Sequence, residues 1–248
     1  MDTLHYKMIE KEKEMRYNMG KSYVNDAKYQ AMSYAEKIDF FAAKSNLISV
    51  NNGNGKTGKG CLTLSVPTIT CAPDAPCRKG CYCMKGRQTI PGVCGAYYRN
   101  YRIWCENPKG FEEQLIHILK YEGLPLFRWH DAGEIPDKEY LSMMFRVAIK
   151  FPNISFLAYT KKYDLVNEFL NEHVIPENLC IRLSAWDKDW EVPNPHNLPM
   201  AYVDFTDKTK NPSIPRNAFK CKGGSEYTCT TCRMCFKKEV ISVVFKQH

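Results

Sequence analysis

From residue 125 onward the chain alternates short apolar runs with helix-length amphipathic stretches, and this rhythm limits the fold more than any other feature. Runs at 125–130, 154–159, 179–184 and 200–205 read as strands. Between them, 137–150 and 163–171 read as helices, the first with Tyr140, Met143, Met144 and Val147 along one face. Parallel strands can be joined only by a crossover, so strands alternating with helices predict parallel β/α units. The run 240–245 reads as a last strand. Upstream, 95–121 reads as helix broken into two pieces by Pro108 and Gly110.

The N-terminal third reads differently. Residues 1–44 are predicted helical, with Met8, Met15, Met19 and Tyr23 as apolar positions among many Lys and Glu residues. Two strand candidates follow, at 46–50 and 61–66, separated by Asn51-Asn-Gly-Asn-Gly-Lys-Thr-Gly-Lys-Gly60. Gly55-Lys56-Thr57 resembles the end of a phosphate-binding loop, but the motif's first glycine would fall at Val50, and a strand rather than a helix follows. The segment therefore reads as a glycine-rich link between two strands. The expected organisation is a helical extension over 1–45 and one α/β domain over 46–248.

A chain of 248 residues, 44% of them hydrophobic, can bury a sizeable core. No run of about 18 apolar residues is present, so no membrane span is expected. Residues 1–13 are charged, without the apolar centre of a secretory signal, and a cytoplasmic protein is expected. The net charge of +8 allows a nucleic-acid partner, although the basic residues are spread out and a solvated surface explains them equally well.

Twelve cysteines are many for such a chain. In a reducing compartment, grouped cysteines point to metal or redox chemistry. The first group is Cys71, Cys77, Cys81 and Cys83, in a loop with two prolines and a glycine that can curl several thiolates toward one point. Cys71, Cys77 and Cys81 are the expected ligands, and Cys83 is ambiguous. The second group is Cys221, Cys229, Cys232 and Cys235, spaced Cys-x7-Cys-x2-Cys-x2-Cys. Both zinc and four-iron four-sulfur clusters accept four thiolates. Three ligands within seven residues suit a cluster with several metal corners, so iron–sulfur is favoured, with zinc as the alternative. Cys61, Cys94, Cys105 and Cys180 stand alone and read as core.

Polar residues gather just past the strand ends: Arg128, His130, Asp131 and Glu134 after one, Thr160, Lys161 and Lys162 after the next, Ser184, Trp186 and Asp187 after the third, and Asp204 and Asp207 at the fourth. In parallel β/α folds the carboxyl ends of the strands carry the active site. Any one of these residues could merely pack, but their recurrence at several strand ends favours a site.

These residues resemble those of the phage gene-product-88 family. The resemblance rests on Thr70-Cys71 with Cys77 and Cys81-Tyr82, Phe127-Arg-Trp-His-Asp-Ala-Gly-Glu134, Phe156-Leu-Ala-Tyr-Thr-Lys161, Ser184-Ala-Trp186 and the closing cysteines, over residues 47–248. The family implies no biochemical activity. More loosely, the layout is similar to radical S-adenosylmethionine enzymes. There a cysteine loop after the first barrel strand holds a four-iron cluster with one open iron, and a Gly-Gly-Glu-type turn after the second strand binds the cofactor's amino group. Asp131-Ala-Gly-Glu134 stands where that turn would be. The spacing departs from the usual Cys-x3-Cys-x2-Cys: it is Cys-x5-Cys-x3-Cys, with Met84 where a third cysteine would fall.

The resemblance implies a partial parallel β/α barrel. Cys71, Cys77 and Cys81 would hold the reactive cluster and the C-terminal cysteines an auxiliary one. Asp131, Gly133 and Glu134 would bind S-adenosylmethionine. Arg128, His130, Tyr159, Lys161 and Trp186 would line the substrate pocket. The rival expectation is a non-catalytic iron or zinc protein that binds nucleic acid or a host partner in the host cytoplasm.

Overall fold

The computed structural model describes residues 27–224 and 227–247. Met8, Met15, Met19 and Tyr23, expected to be helical, lie outside the described residues. Two helices open the described chain, α1 (Ala27–Ala31) and α2 (Tyr34–Ala43). Ser33 caps α2 and exchanges bonds with Glu36 in a capping box. Then come β1 (Val50–Asn52), β2 (Cys61–Leu64), α3 (Pro91–Glu106), α4 (Pro108–Glu122), β3 (Leu126–Trp129), α5 (Lys138–Lys150), β4 (Ser155–Thr160) and α6 (Tyr163–Leu170). The chain ends with β5 (Leu179–Ala185), β6 (Met200–Asp204), β7 (Phe219–Lys220), α7 (Cys229–Cys232) and β8 (Ser242–Lys246).

The fold is mixed α/β. One eight-stranded sheet runs in the order β1-β2-β3-β4-β5-β6-β8-β7, and only the β1–β2 pair is antiparallel. The glycine-rich segment joins these two strands, as its composition predicts. The break within 91–122 falls at Asn107, whose side chain accepts from the Gly110 N–H at 2.9 Å to start α4.

Both sheet faces are covered. Side chains alternate along a strand, so Leu62, Leu64, Phe127, Trp129, Phe156, Ala158, Ile181 and Leu183 share one face. They pack with Phe111, Leu115, Tyr140, Met144, Val147 and Val166 of helices α4 to α6 in the main core. The opposite face carries Arg128, Leu157, Tyr159, Cys180, Arg182, Ala201 and Val243. The C-terminal cysteine segment covers it: Cys235 is buried with Leu157, Cys180, Ala201 and Val243.

Two element boundaries and two of the four lone cysteines depart from expectation. The first strand was expected at 46–50 but is Val50–Asn52, because side chains take the amides just before it. The Ile48 N–H donates to Gln114 Oε1 and the Ser49 N–H to Asn100 Oδ1. The last strand begins at Ser242 because Val240 is still in a turn, its N–H donating to the Lys237 carbonyl. Cys105, expected in the core, is exposed near the end of α3, whose buried side chains are Arg99, Asn100, Ile103 and Trp104. Cys94 is only half-buried, whereas Cys61 and Cys180 are buried as expected.

Candidate metal and active site

The residues that follow β3 form a turn stitched to its neighbours at the carboxyl edge of the sheet. Ser65 Oγ accepts from the Asp131 and Ala132 N–H groups at 3.0 and 3.2 Å. Thr70 Oγ1 accepts from the Glu134 N–H at 2.8 Å. Gly133 has φ +79°, and a Cβ there would stand 2.3 Å from the Val66 carbonyl oxygen, so the close approach requires glycine. Glu134 turns inward. Its Oε2 accepts from Thr160 Oγ1 at 2.7 Å and its Oε1 from the Lys161 N–H at 2.9 Å. Burial raises its pKa, while Lys161 and Thr160 work against that rise. Both oxygens therefore serve to tie β3 to β4.

Cys77 and Cys83 lie in the short 3-10 turns Pro76–Gly80 and Tyr82–Met84 after β2, with Cys81 joining the two turns and Cys71 ahead of them. Cys71, Cys77, Cys81 and Cys83 are each partly exposed. The Cys71 thiol is pushed up to about 12 by burial, with Glu134, Cys77 and Cys81 adding to the rise and Lys161 opposing it. The Cys77 thiol is raised by burial, against the pull of Lys161. Cys81 moves the other way, down to about 6, because the Cys83 thiol donates to it; backbone N–H groups of Cys83 and Met84 help. Cys83 Sγ also faces the Asp131 carbonyl at 3.8 Å. Cys71, Cys77 and Cys81 thus sit within electrostatic reach of one another and of Lys161, and Cys71 and Cys77 also of Glu134. The Lys161 ammonium lies 5.3 Å from the centroid of the Trp186 ring, which meets Phe205 edge-on.

Arg128 lies deeper, on the sheet face opposite the helices. Its guanidinium stands 5.2 Å from the Tyr159 ring centroid, and its Nε is 3.2 Å from Asp131 Oδ1. Burial would lower its pKa, but Asp131, Tyr82 and Tyr159 hold it above the usual arginine value. Asp131 is also held by Asn54 Nδ2 at 3.0 Å. His130 is set apart from these groups. It has φ +57°, and its Nε2 lies 3.2 Å from the Tyr140 hydroxyl on α5, while its Nδ1 is buried without a partner among the described residues. Burial and then the Arg128 charge depress its pKa to about 3, so the ring is neutral.

The C-terminal cysteines gather on the second sheet face. Cys229 is pushed up to about 11 by burial; Cys235, Cys221 and Cys232 add to this and Arg128 opposes it. Cys235 is raised by burial and lowered by a bond from Tyr159 and by the Arg182 charge. Cys61, expected only to pack, lies beside this set: burial and then Cys229 push it up to about 12. The glycine-rich link also proves to be more than a connection. The Lys56 and Thr57 carbonyls accept from the Cys229 and Thr230 N–H groups, both at 3.1 Å.

Among the described residues no three His, Cys, Asp or Glu side chains stand at the spacing that one bound ion requires. The thiols of each set nonetheless act on one another's charge, and as donors they suit zinc or an iron–sulfur cluster. Sequence reasoning missed Arg182 and Asn54, whereas Thr160 stood among the polar residues at the strand ends and Thr70 in the family motif. Arg182 left a signal, as a charge inside the otherwise apolar 179–185 strand.

A mostly parallel α/β sheet, with one cysteine set at its carboxyl edge and a second on one face, defines a class of thiol-rich α/β proteins. Within it, this chain belongs to the phage gene product 88 family, whose profile matches residues 42–238. No curated protein and no solved structure matches the chain. Among the described residues, no helix is long and apolar enough to cross a membrane.

Proposed function

We propose that this is an iron–sulfur protein acting as a radical S-adenosylmethionine-like enzyme. The observation that carries the reading is the grouping of Cys71, Cys77 and Cys81 at the carboxyl edge of parallel strands, beside Lys161 and the stitched turn 131–134. In this reading the sheet curls as a partial β/α barrel. Cys71, Cys77 and Cys81 hold a four-iron cluster whose open corner supplies the site for S-adenosylmethionine. The backbone of Asp131, Gly133 and Glu134 faces that cofactor, since the Glu134 carboxylate is already engaged. Lys161 and Trp186 line the substrate side, with Arg128, Tyr159 and His130 deeper. Cys221, Cys229, Cys232 and Cys235 hold a second cluster. The net charge of +8 favours a nucleic-acid substrate, met in the host cytoplasm.

A second reading has its own support. Arg182 binds the carbonyls around Cys235, which suits a metal that only holds the C-terminal segment in place. The protein is then a non-catalytic iron or zinc protein with a nucleic-acid or host-protein partner. Anaerobic purification with iron, sulfide and zinc analysis separates the two. Two four-iron clusters give about eight irons per chain and a brown protein. Stoichiometric zinc without labile sulfide would sink the iron–sulfur reading. Cleavage of S-adenosylmethionine after reduction with dithionite then distinguishes enzyme from scaffold.

A further inference from the structure

Among the described residues, Arg182 is a fully buried cation without a carboxylate partner. It sits on β5, with 0% of its surface exposed, on the face covered by the C-terminal cysteines. Its Nε donates to the Cys235 carbonyl at 2.8 Å, its Nη1 to Val240 at 2.7 Å and its Nη2 to Lys237 at 2.8 Å. These carbonyls satisfy the N–H groups but leave the positive charge unanswered. Among the described residues no carboxylate lies within ion-pair distance of it. A buried charge is costly unless an opposite charge accompanies it.

Arg128 is a second buried cation two strands away on the same face, and unlike Arg182 it has a carboxylate, Asp131, beside its Nε. Tyr159 of the intervening strand lies between the two arginines: it pairs in register with Arg182, and its ring underlies Arg128. Asp131 pairs with the Arg128 charge at 3.2 Å, and among the described residues Arg128 Nε is buried with no hydrogen bond. Both cations face Cys235 and Tyr159: Arg182 holds the Cys235 carbonyl at 2.8 Å and Arg128 lies over the Tyr159 ring, while Arg128 also acts on Cys229. A divalent ion or a four-iron cluster held by four thiolates keeps net negative charge, because the thiolates outnumber the metal's positive charge.

We infer that Cys221, Cys229, Cys232 and Cys235 bind metal as an all-thiolate, net anionic centre, with Arg182 and Arg128 as its resident counter-cations. This rests on the metal reading of the C-terminal set but not on the enzyme reading. It gives Arg128 to the C-terminal metal in place of the substrate-side role that the enzyme reading gives it, and gives Arg182 a role where that reading gives none. It also makes metal loading and the seating of the C-terminal segment on the sheet one event, since Arg182 binds that segment's carbonyls directly.

The test uses the full chain reconstituted with cobalt(II), whose thiolate-to-metal charge-transfer absorption reports the ligand set. Cys232→Ser should lose most of the C-terminal signal. Arg128→Met should keep the absorption but release its metal to a chelator at least tenfold faster, and Arg128→Lys should restore the slow release. Arg128 is the informative position because its substitution strands no carbonyl, whereas Arg182→Met removes a structural clamp as well as a charge. Unchanged release in Arg128→Met, or release that Arg128→Lys fails to restore, would overturn the inference. Metal at the C-terminal set with none at Cys71, Cys77 and Cys81 would sink the enzyme reading and support this one.

Discussion

Thr160 Oγ1 donates to Glu134 Oε2 at 2.7 Å, out of contact with solvent, so the turn after β3 is fastened to the end of β4. The second oxygen takes the Lys161 N–H. Glu134→Ala strands both donors, and a buried donor left unpaired costs about 1–3 kcal/mol. Glu134→Gln keeps one acceptor and should lose less. Urea midpoints of the two variants check this. Equal stability of Glu134→Ala and the parent would mean the carboxylate is free to serve another role.

Gly58 has φ +79°, and a Cβ there would lie 2.4 Å from Thr230 Oγ1 and 2.7 Å from Thr228 Oγ1. Gly58→Ala should therefore push the C-terminal cysteine turn off the glycine-rich link. The backbone strain alone is about 1–2 kcal/mol. Gly55, whose added Cβ would meet nothing within 4 Å, is the control. The expected result is a lower melting temperature and faster metal release for Gly58→Ala, with Gly55→Ala near the parent. Identical behaviour of the two would remove the link's role as a seat.

The difference between these glycines shows where sequence reasoning stops. The central strands were legible because Leu126–Trp129, Ser155–Thr160 and Leu179–Ala185 are buried apolar runs separated by helices of clear period. Both cysteine sets were legible from spacing. The strand Phe219–Lys220 was not, since two residues carry no period. Nor was the docking of Lys56 and Thr57 on Cys229 and Thr230, which joins segments about 170 residues apart through backbone atoms that any sequence possesses. The same holds for Glu134, whose partners lie on another strand.

Cys180 and Cys232 separate a packing thiol from a proposed ligand. Cys180 is 1% exposed within the smaller core on the second face. Cys180→Ala should keep its full metal content and lose about 1 kcal/mol of stability, as small core truncations do. Cys232→Ala should lose both the C-terminal metal and the folding free energy that thiolate–metal bonds contribute. Metal analysis and thermal melts report the two effects. Equal metal content in both variants would strip the C-terminal set of its special status.

His130 sets a pH dependence. Its pKa is near 3 in the folded protein, because burial and the Arg128 charge disfavour the imidazolium. The unfolded chain takes up that proton near the ordinary value of about 6.5. Between those values the unfolded state binds more protons, so stability falls as pH drops across the window and is unaffected above it. The slope from this one group is about 1.4 kcal/mol per pH unit. Asn tolerates the positive φ of 57° better than most residues. His130→Asn should therefore flatten the loss of stability between pH 6 and 4, to about one proton less than the parent. Parallel stability curves for the two proteins would rule out a buried neutral His130.

Cys83 decides whether the N-terminal set has an open corner. It lies in the 3-10 turn Tyr82–Met84, directly after Cys81. Its sulfur is already engaged twice within the protein, donating to Cys81 and facing the Asp131 carbonyl at 3.8 Å. In this arrangement Cys83 supports the Cys81 thiolate, which its donation holds near 6. Three ligands from Cys71, Cys77 and Cys81 leave one iron of a four-iron cluster without a thiolate, where the amino and carboxylate groups of S-adenosylmethionine can bind. A fourth thiolate from Cys83 closes that corner and removes the basis for the enzyme reading. Cys83→Ala should therefore keep its iron, and the paramagnetic resonance spectrum of the reduced protein should still shift when S-adenosylmethionine is added. Its Cys81 thiol should need a higher pH for alkylation, since the supporting donor is gone. Loss of the N-terminal iron in Cys83→Ala would make Cys83 a ligand, close the corner and favour a structural metal protein.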